Sequence, residues 1–141
     1  MRVVSYPISV EYLSAGAQGG LSPALEVELI RGEHRTRAIG VIDSGATITV
    51  FNPEHAEILG IENITDGEPG KAQSQAGAVD YYVFDVEMRV QIEAHVKRFP
   101  CRVGFFPVRK PRNILGRNFI FGHYEIGFHD SKQTVYLRPE D

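Results

Sequence analysis

Tryptophan is absent from this 141-residue sequence, and cysteine occurs once, at Cys101. One cysteine excludes an intrachain disulfide, so the core must hold together without a covalent staple. Long apolar runs are missing too: no segment approaches the ~18 residues that a membrane-spanning helix needs. There is no basic run, and the net charge is −3, so nucleic acid as a partner has no electrostatic support. The opening M-R-V-V-S-Y-P-I-S-V-E breaks its apolar residues with Pro7 and Glu11 and contains no continuous signal core. Together with the lone thiol this sets the expectation of a reducing, cytoplasmic location, with no membrane partner. Without an export signal, the sequon Asn63-Ile64-Thr65 reads as a chance match. Repeats, linkers and low-complexity tracts are also lacking. His34, His55, His95, His123 and His129 show no ligand spacing, and Gly16, Gly19 and Gly20 do not build a nucleotide loop, so no metal and no cofactor are expected. Hydrophobic residues at 43% and charged residues at 23% are ordinary globular values, and the length suits one domain.

What the sequence does have is alternation with period 2, the mark of strands with one buried face. Val4, Tyr6, Ile8, Val10 and Tyr12 alternate with polar residues, and Pro7, which has no N–H to donate, points to a sheet edge. Leu25 to Arg31 and Arg35 to Ile42 flank Gly32-Glu33 as a hairpin. The longest signal runs through Tyr82, Phe84, Val86, Met88, Val90 and Ile92, and Phe99, Cys101, Val103 and Phe105 continue the pattern. Cys101 therefore reads as a core residue, and the pairs Glu26/Glu28 and Asp85/Glu87 as solvated faces. Tyr124 to Phe128 and Thr134 to Leu137 form a last hairpin around Asp130-Ser131-Lys132. In F-N-P-E-H-A-E-I-L-G, Asn52 is placed to cap a short helix with Pro53 at its first position and Gly60 at its end. A second short helix follows Gly116. The fold class is mostly β, a closed or folded-over barrel with one or two short helices.

Two stretches carry chemistry. In V-I-D-S-G-A-T-I-T-V, Asp43 follows the buried strand end Val41-Ile42, and Gly45 lets the backbone pass close to a neighbour. A buried carboxylate is costly unless paired or hydrogen-bonded, so Asp43 is expected to leave the core. Asp, Ser and Gly are also common turn residues, and D-[ST]-G arises by chance in about one chain in ten of this length. The setting adds weight: two aliphatics before it, and an apolar strand, Ile48 to Phe51, after it. The second stretch is P-R-N-I-L-G-R-N-F-I, Pro111 to Ile120, which joins a strand-like segment to a short helix.

Together the two stretches resemble the retropepsin-like aspartic peptidases. The resemblance covers I-D-S-G-A, the hairpin before it, N-I-L-G-R-N and the closing Y-E-I-G-F-H-D-S-K-Q-T-V-Y-L, along about residues 22 to 138. The domain reading is one unit, 1–141, with 1–21 as an N-terminal extension of a strand and a Gly-rich loop and 22–138 as the core. Members of that family use two aspartates that share one proton and activate a water. This chain has one such triplet, since Asp130-Ser131 is followed by Lys132. The resemblance therefore implies a homodimer with Asp43 from each subunit in a shared site.

It further implies that Ser44 braces the two loops across the dimer, that the Gly45 carbonyl meets substrate backbone, and that Ala46, Thr47 and Ile48 lie along the substrate. A flap would come from Ala72 to Tyr82, its tip at Gln75, Ala76, Gly77 and Ala78, closing over an extended peptide. Tyr81 and Tyr82 join Ile48 as pocket candidates. Ile114, Leu115, Gly116 and Arg117 would support the catalytic loop from behind. Thr47 stands where viral members carry the aspartate that pairs with the arginine of the later motif, so Arg117 needs another partner or faces water. The dimer could then assemble through another surface, such as the hairpin at Tyr124 to Leu137. The activity implied is aspartic endopeptidase. The alternative is the same dimeric fold binding peptide or protein without turnover.

Overall fold

The computed structural model describes residues 5–16, 20–74 and 77–140. In chain order the elements are β1 (Ile8–Glu11), β2 (Ala24–Arg31), β3 (His34–Ile42), β4 (Val50–Phe51), α1 (Pro53–Ile58), β5 (Glu68–Ser74), β6 (Gly77–Ile92), β7 (His95–Phe105), β8 (Asn113–Leu115), α2 (Ile120–His123), β9 (Tyr124–His129) and β10 (Thr134–Pro139). Single 3-10 turns lie at Ile64–Asp66 and Asp130–Lys132.

The larger sheet has the order β2-β3-β8-β4-β7-β6-β5. Strand β2 also pairs with β6 through Leu29↔Met88, so six strands close into a barrel and β5 continues outward as a hairpin with β6. The alternation explains the barrel: Val86, Met88 and Val90 of β6 face inward and are buried, as are Phe99, Cys101, Val103 and Phe105 of β7. Core aromatics meet off-parallel, Phe51 tilted against Phe105 at 6.3 Å and Phe84 edge-to-face with Phe105 at 6.0 Å. Burial pushes the Cys101 thiol up to about 12. Among the described residues no helix is long and apolar enough to cross a membrane, and no three His, Cys, Asp or Glu side chains gather into a metal-binding group.

A second sheet, β1-β10-β9, packs beside the barrel. Strand β1 begins directly after Pro7 and occupies the edge. It is shorter than the expected Val4–Tyr12: Val4 lies outside the described residues, and Tyr6 is outside the strand with its ring 6.0 Å from that of Tyr136. Tyr12 is buried, its N–H bonded to the Gln133 carbonyl and its hydroxyl to Asp130. The segment before Leu13 is thus tied to the closing hairpin.

Three local expectations are corrected. The strand foreseen over Ile48 to Phe51 contains only Val50–Phe51, because Thr49 turns its side chain and both backbone groups toward other partners. Asn52 stands at the N-cap of α1 but makes no side-chain cap. Its amide instead clamps Lys110, accepting from the Lys110 N–H at 2.7 Å and donating to the Lys110 carbonyl at 3.0 Å. Glu28 is half-buried and paired with Arg35 rather than free in solvent. Glu26 pairs with Arg37, Asp85 with Arg102 and Glu87 with Arg98. Exposed pairs of this kind contribute about 0–1 kcal/mol, so they tune the surface and do not hold the barrel.

Candidate active site

The D-S-G triplet lies where β3 leaves the barrel. Strands β3 and β8 run parallel, with Val41 opposite Ile114 and Ile42 opposite Leu115. Strand β4 flanks β8 from the other side, antiparallel, with Val50 opposite Ile114. The short β8 is therefore held on both edges, which makes it a rigid base for the loop beyond Ile42.

The loop is tied to that base by backbone bonds. The Asp43 N–H donates to the Leu115 carbonyl at 3.0 Å, and the Arg117 N–H donates to the Ala46 carbonyl at 2.8 Å. Within the loop, the Ala46 N–H bonds the Asp43 carbonyl at 3.2 Å, and the Gly45 N–H bonds Asp43 Oδ1 at 2.9 Å. That last bond engages Oδ1, and among the described residues no hydrogen bond reaches Oδ2. Asp43, Ser44 and Gly45 are all exposed, as is Thr47, while Ala46 and Ile48 are half-buried. Asp43 has left the core, as its chemistry required. An exposed, backbone-anchored carboxylate is suited to accept or release a proton or to hold a water.

Gly116 makes the assembly possible. A Cβ on it would stand 2.4 Å from the Ile48 carbonyl oxygen, 2.6 Å from the Ile48 carbonyl carbon and 2.9 Å from the Ala46 oxygen. Only glycine lets the two segments approach that closely. Ile114 is half-buried and Leu115 fully buried. The Arg117 side chain is exposed and makes no ion pair among the described residues, so it faces water.

Two residues given no role by the sequence reading complete the anchor. Thr49, fully buried, accepts the Gly116 N–H on Oγ1 at 2.9 Å. Its own N–H donates to Asn118 Oδ1 at 2.8 Å, and its carbonyl accepts from the Gly104 N–H at 2.8 Å. Asn118 Nδ2 donates onward to the Arg102 carbonyl at 2.8 Å. The one available signal was Asn118, the last residue of N-I-L-G-R-N.

The hairpin foreseen over Ala72 to Tyr82 exists as β5 and β6, paired from Glu68↔Val83 to Ser74↔Gly77. Gln75 and Ala76 lie outside the described residues. Gly77 has φ +107°, a conformation that favours glycine, and Ala78 is exposed. The Tyr81 ring lies over Gly70 and Gly104 at the base of the hairpin, and Tyr82 is half-buried.

A cavity of about 420 Å³ lies elsewhere, between α1, the β2–β3 hairpin and the segment before β8. It contains neither Asp43 nor its loop. His55 and Asn113 form part of its wall.

The protein family described as Aspartyl protease matches residues 29–119. Among solved structures, the chain is similar to a retropepsin-like aspartic protease from Rickettsia conorii, with a TM-score of 0.60 and 13% identity, over 92% of this chain and 98% of that one. A second similar structure is the EIAV protease complexed with the inhibitor HBY-793, with a TM-score of 0.47 and 16% identity, over 72% of this chain and 86% of that one. Comparison with curated protein sequences finds no match. At 13% identity the first likeness establishes the fold alone, and it extends across nearly the whole of both chains.

Proposed function

The chain belongs to the aspartyl protease family and has the retropepsin-like fold, and on that premise we propose that it is a homodimeric endopeptidase whose catalytic pair is Asp43 from each of two subunits. The observation that carries the reading is the Asp43 loop. One exposed carboxylate is fixed by the Gly45 N–H and backed by β8, with one oxygen left free.

A single carboxylate is half of the machinery. With two brought together, like charges disfavour double ionisation, and one proton is shared. The ionised partner takes a proton from a bound water, which attacks the scissile carbonyl. The protonated partner hydrogen-bonds the carbonyl oxygen, and the carboxyl that took the water's proton passes it to the leaving amine, so the pair again holds one proton. In this reading Ser44 braces one loop against the other across the twofold axis. The Gly45 carbonyl, with Ala46, Thr47 and Ile48, lies along the extended substrate. The β5–β6 hairpin, with Gly77 and Ala78 at the start of β6, closes over it, so that the peptide binds as an added strand. Ile114, Leu115, Gly116 and Arg117 support the loop without touching substrate.

The test is cleavage of a diverse peptide mixture across about pH 4 to 7, the carboxylate range, with wild type and Asp43→Asn side by side and the oligomeric state measured by sedimentation. Cuts made by a wild-type dimer and lost in the variant support the enzyme. A strictly monomeric chain, or a folded dimer that cuts nothing, refutes it.

A further inference from the structure

His55 is the only buried histidine among the described residues, and the proposed peptide hydrolysis has no use for it. Its ring meets two side chains: Nδ1 lies 3.0 Å from Thr36 Oγ1, and Nε2 lies 3.4 Å from Asn113 Nδ2. The Phe51 ring packs near-perpendicular to it, with centroids 6.1 Å apart.

The orientation of the Asn113 amide decides the protonation of this ring. Asn113 Oδ1 accepts the Asn52 N–H at 2.8 Å, and Nδ2 donates to the Ile39 carbonyl at 3.1 Å. Turning the amide over would set donor against donor at Asn52 and acceptor against acceptor at Ile39. Nδ2 therefore faces His55, and Nε2 must be the acceptor. The hydrogen then sits on Nδ1 and is donated to Thr36. A second proton, on Nε2, would point an N–H at an NH₂ group. Asn113 would have to turn over and lose two bonds, or move away.

Asn113 also sets the base of the Asp43 loop. It joins the start of α1 through Asn52 and joins β3 through Ile39, and it is the first residue of β8. Two residues further on, the Leu115 carbonyl accepts the Asp43 N–H, and at the third Gly116 makes its close contact with Ile48. The charged groups facing this region are Glu54 on α1, Glu26 on β2, Arg37 on β3, and Arg109 and Arg112 before β8. Arg37 pairs with Glu26 and Arg109 with Glu54, so the surroundings supply no free carboxylate to welcome a charged imidazole. Consistent with this, burial lowers the His55 pKa from its ordinary value, with Glu54 opposing and Arg109 reinforcing the shift.

We propose that His55 is a positioning residue for the Asp43 loop: with Nε2 bare it lets Asn113 hold α1, β3 and β8 together, and a proton on Nε2 breaks that hold. The inference deepens the peptidase reading and rests on it for its catalytic meaning. Acid then acts on this protein twice, once at the shared carboxylates and once, 58 residues from Asn113 in sequence, at the histidine behind them.

The test is a pH titration of the ¹⁵N-labelled full chain by NMR, beside cleavage of the peptide mixture over the same range. The His55 ring is expected as the Nδ1–H form. The amides of Leu115 and Gly116, at the base of the loop, are expected to move with the same midpoint as the ring. In His55→Gln, which has a donor and an acceptor but no titrating proton, that step is expected to vanish and the acid limb of cleavage to move to lower pH. Should His55→Gln fail to fold, Asn113→Asp serves. Its carboxylate accepts from protonated Nε2, so the ring midpoint rises by about one unit or more while the loop amides lose their acid step. Loop amides that titrate apart from the ring, or that keep their step in His55→Gln, overturn the inference. So does global unfolding of the wild type before His55 titrates. If the wild type cuts nothing at any pH, the peptidase reading fails and the NMR midpoints alone decide the coupling.

Discussion

Gly116→Ala is the substitution whose effect the site geometry determines most fully. The added Cβ would stand 2.4 Å from the Ile48 carbonyl oxygen and 2.9 Å from that of Ala46, both backbone atoms that no rotamer change can move. Relief requires the Asp43 loop and β8 to separate by about an ångström, given ordinary carbon contacts of about 3.5 Å. Two bonds span the seam, Gly116 N–H to Thr49 Oγ1 at 2.9 Å and Arg117 N–H to the Ala46 carbonyl at 2.8 Å, and both would be stretched or lost. Overpacking costs about 1–3 kcal/mol, and two weakened hydrogen bonds cost about 0.5–1.5 kcal/mol each. Alanine returns about 0.4–1 kcal/mol by restricting the unfolded chain. The expected net loss is roughly 1–5.5 kcal/mol, a fall in Tm of about 3–16 °C at some 3 °C per kcal/mol for a chain of this size. Urea and thermal melts measure it, and peptide cleavage should fall further than stability because the displaced segment carries Asp43. A variant that melts within about 2 °C of wild type and cuts peptides equally well would refute the close approach of loop and strand.

Thr49→Val keeps the shape of the side chain but leaves the buried Gly116 N–H without its acceptor, so a loss of about 1–3 kcal/mol is expected in chemical denaturation. Asn118→Ala should be milder in stability, since Asn118 is exposed, but should loosen the Thr49 N–H, read as faster hydrogen exchange at that amide. For pH, the folded His55 pKa lies below its ordinary value of 6.5, so the folded state binds fewer protons than the unfolded state just below that pH. The stability it confers is complete above about pH 6.5 and is lost as the pH falls toward the folded value. In His55→Gln this part of the slope of stability against pH should disappear. Cys101, with its thiol pushed up to about 12 and its side chain in the core, should resist a thiol reagent in the native protein and react once urea unfolds it.

What the sequence by itself determined is what local pattern can encode. Period-2 alternation places Val86, Met88 and Val90 on one face and Arg89 on the other whatever the strand pairs with, so the strands and their buried faces were legible. Pro7 marked an edge and Gly32-Glu33 a hairpin turn, both by backbone chemistry confined to a few residues. Asp43 was legible as a residue for which the core has no use. Tertiary structure alone decided what holds that residue in place. Thr49 meets Gly116 across 67 positions and Asn118 across 69, and His55 meets Asn113 across 58. A hydroxyl in an alternating strand reads as polar in any sequence, and only closure of the barrel gives it a buried N–H to satisfy. Asn52 is the same lesson reversed: its local signal named a helix cap, but folding brought Lys110 within reach, and two backbone bonds to a distant segment outweighed one to its own helix.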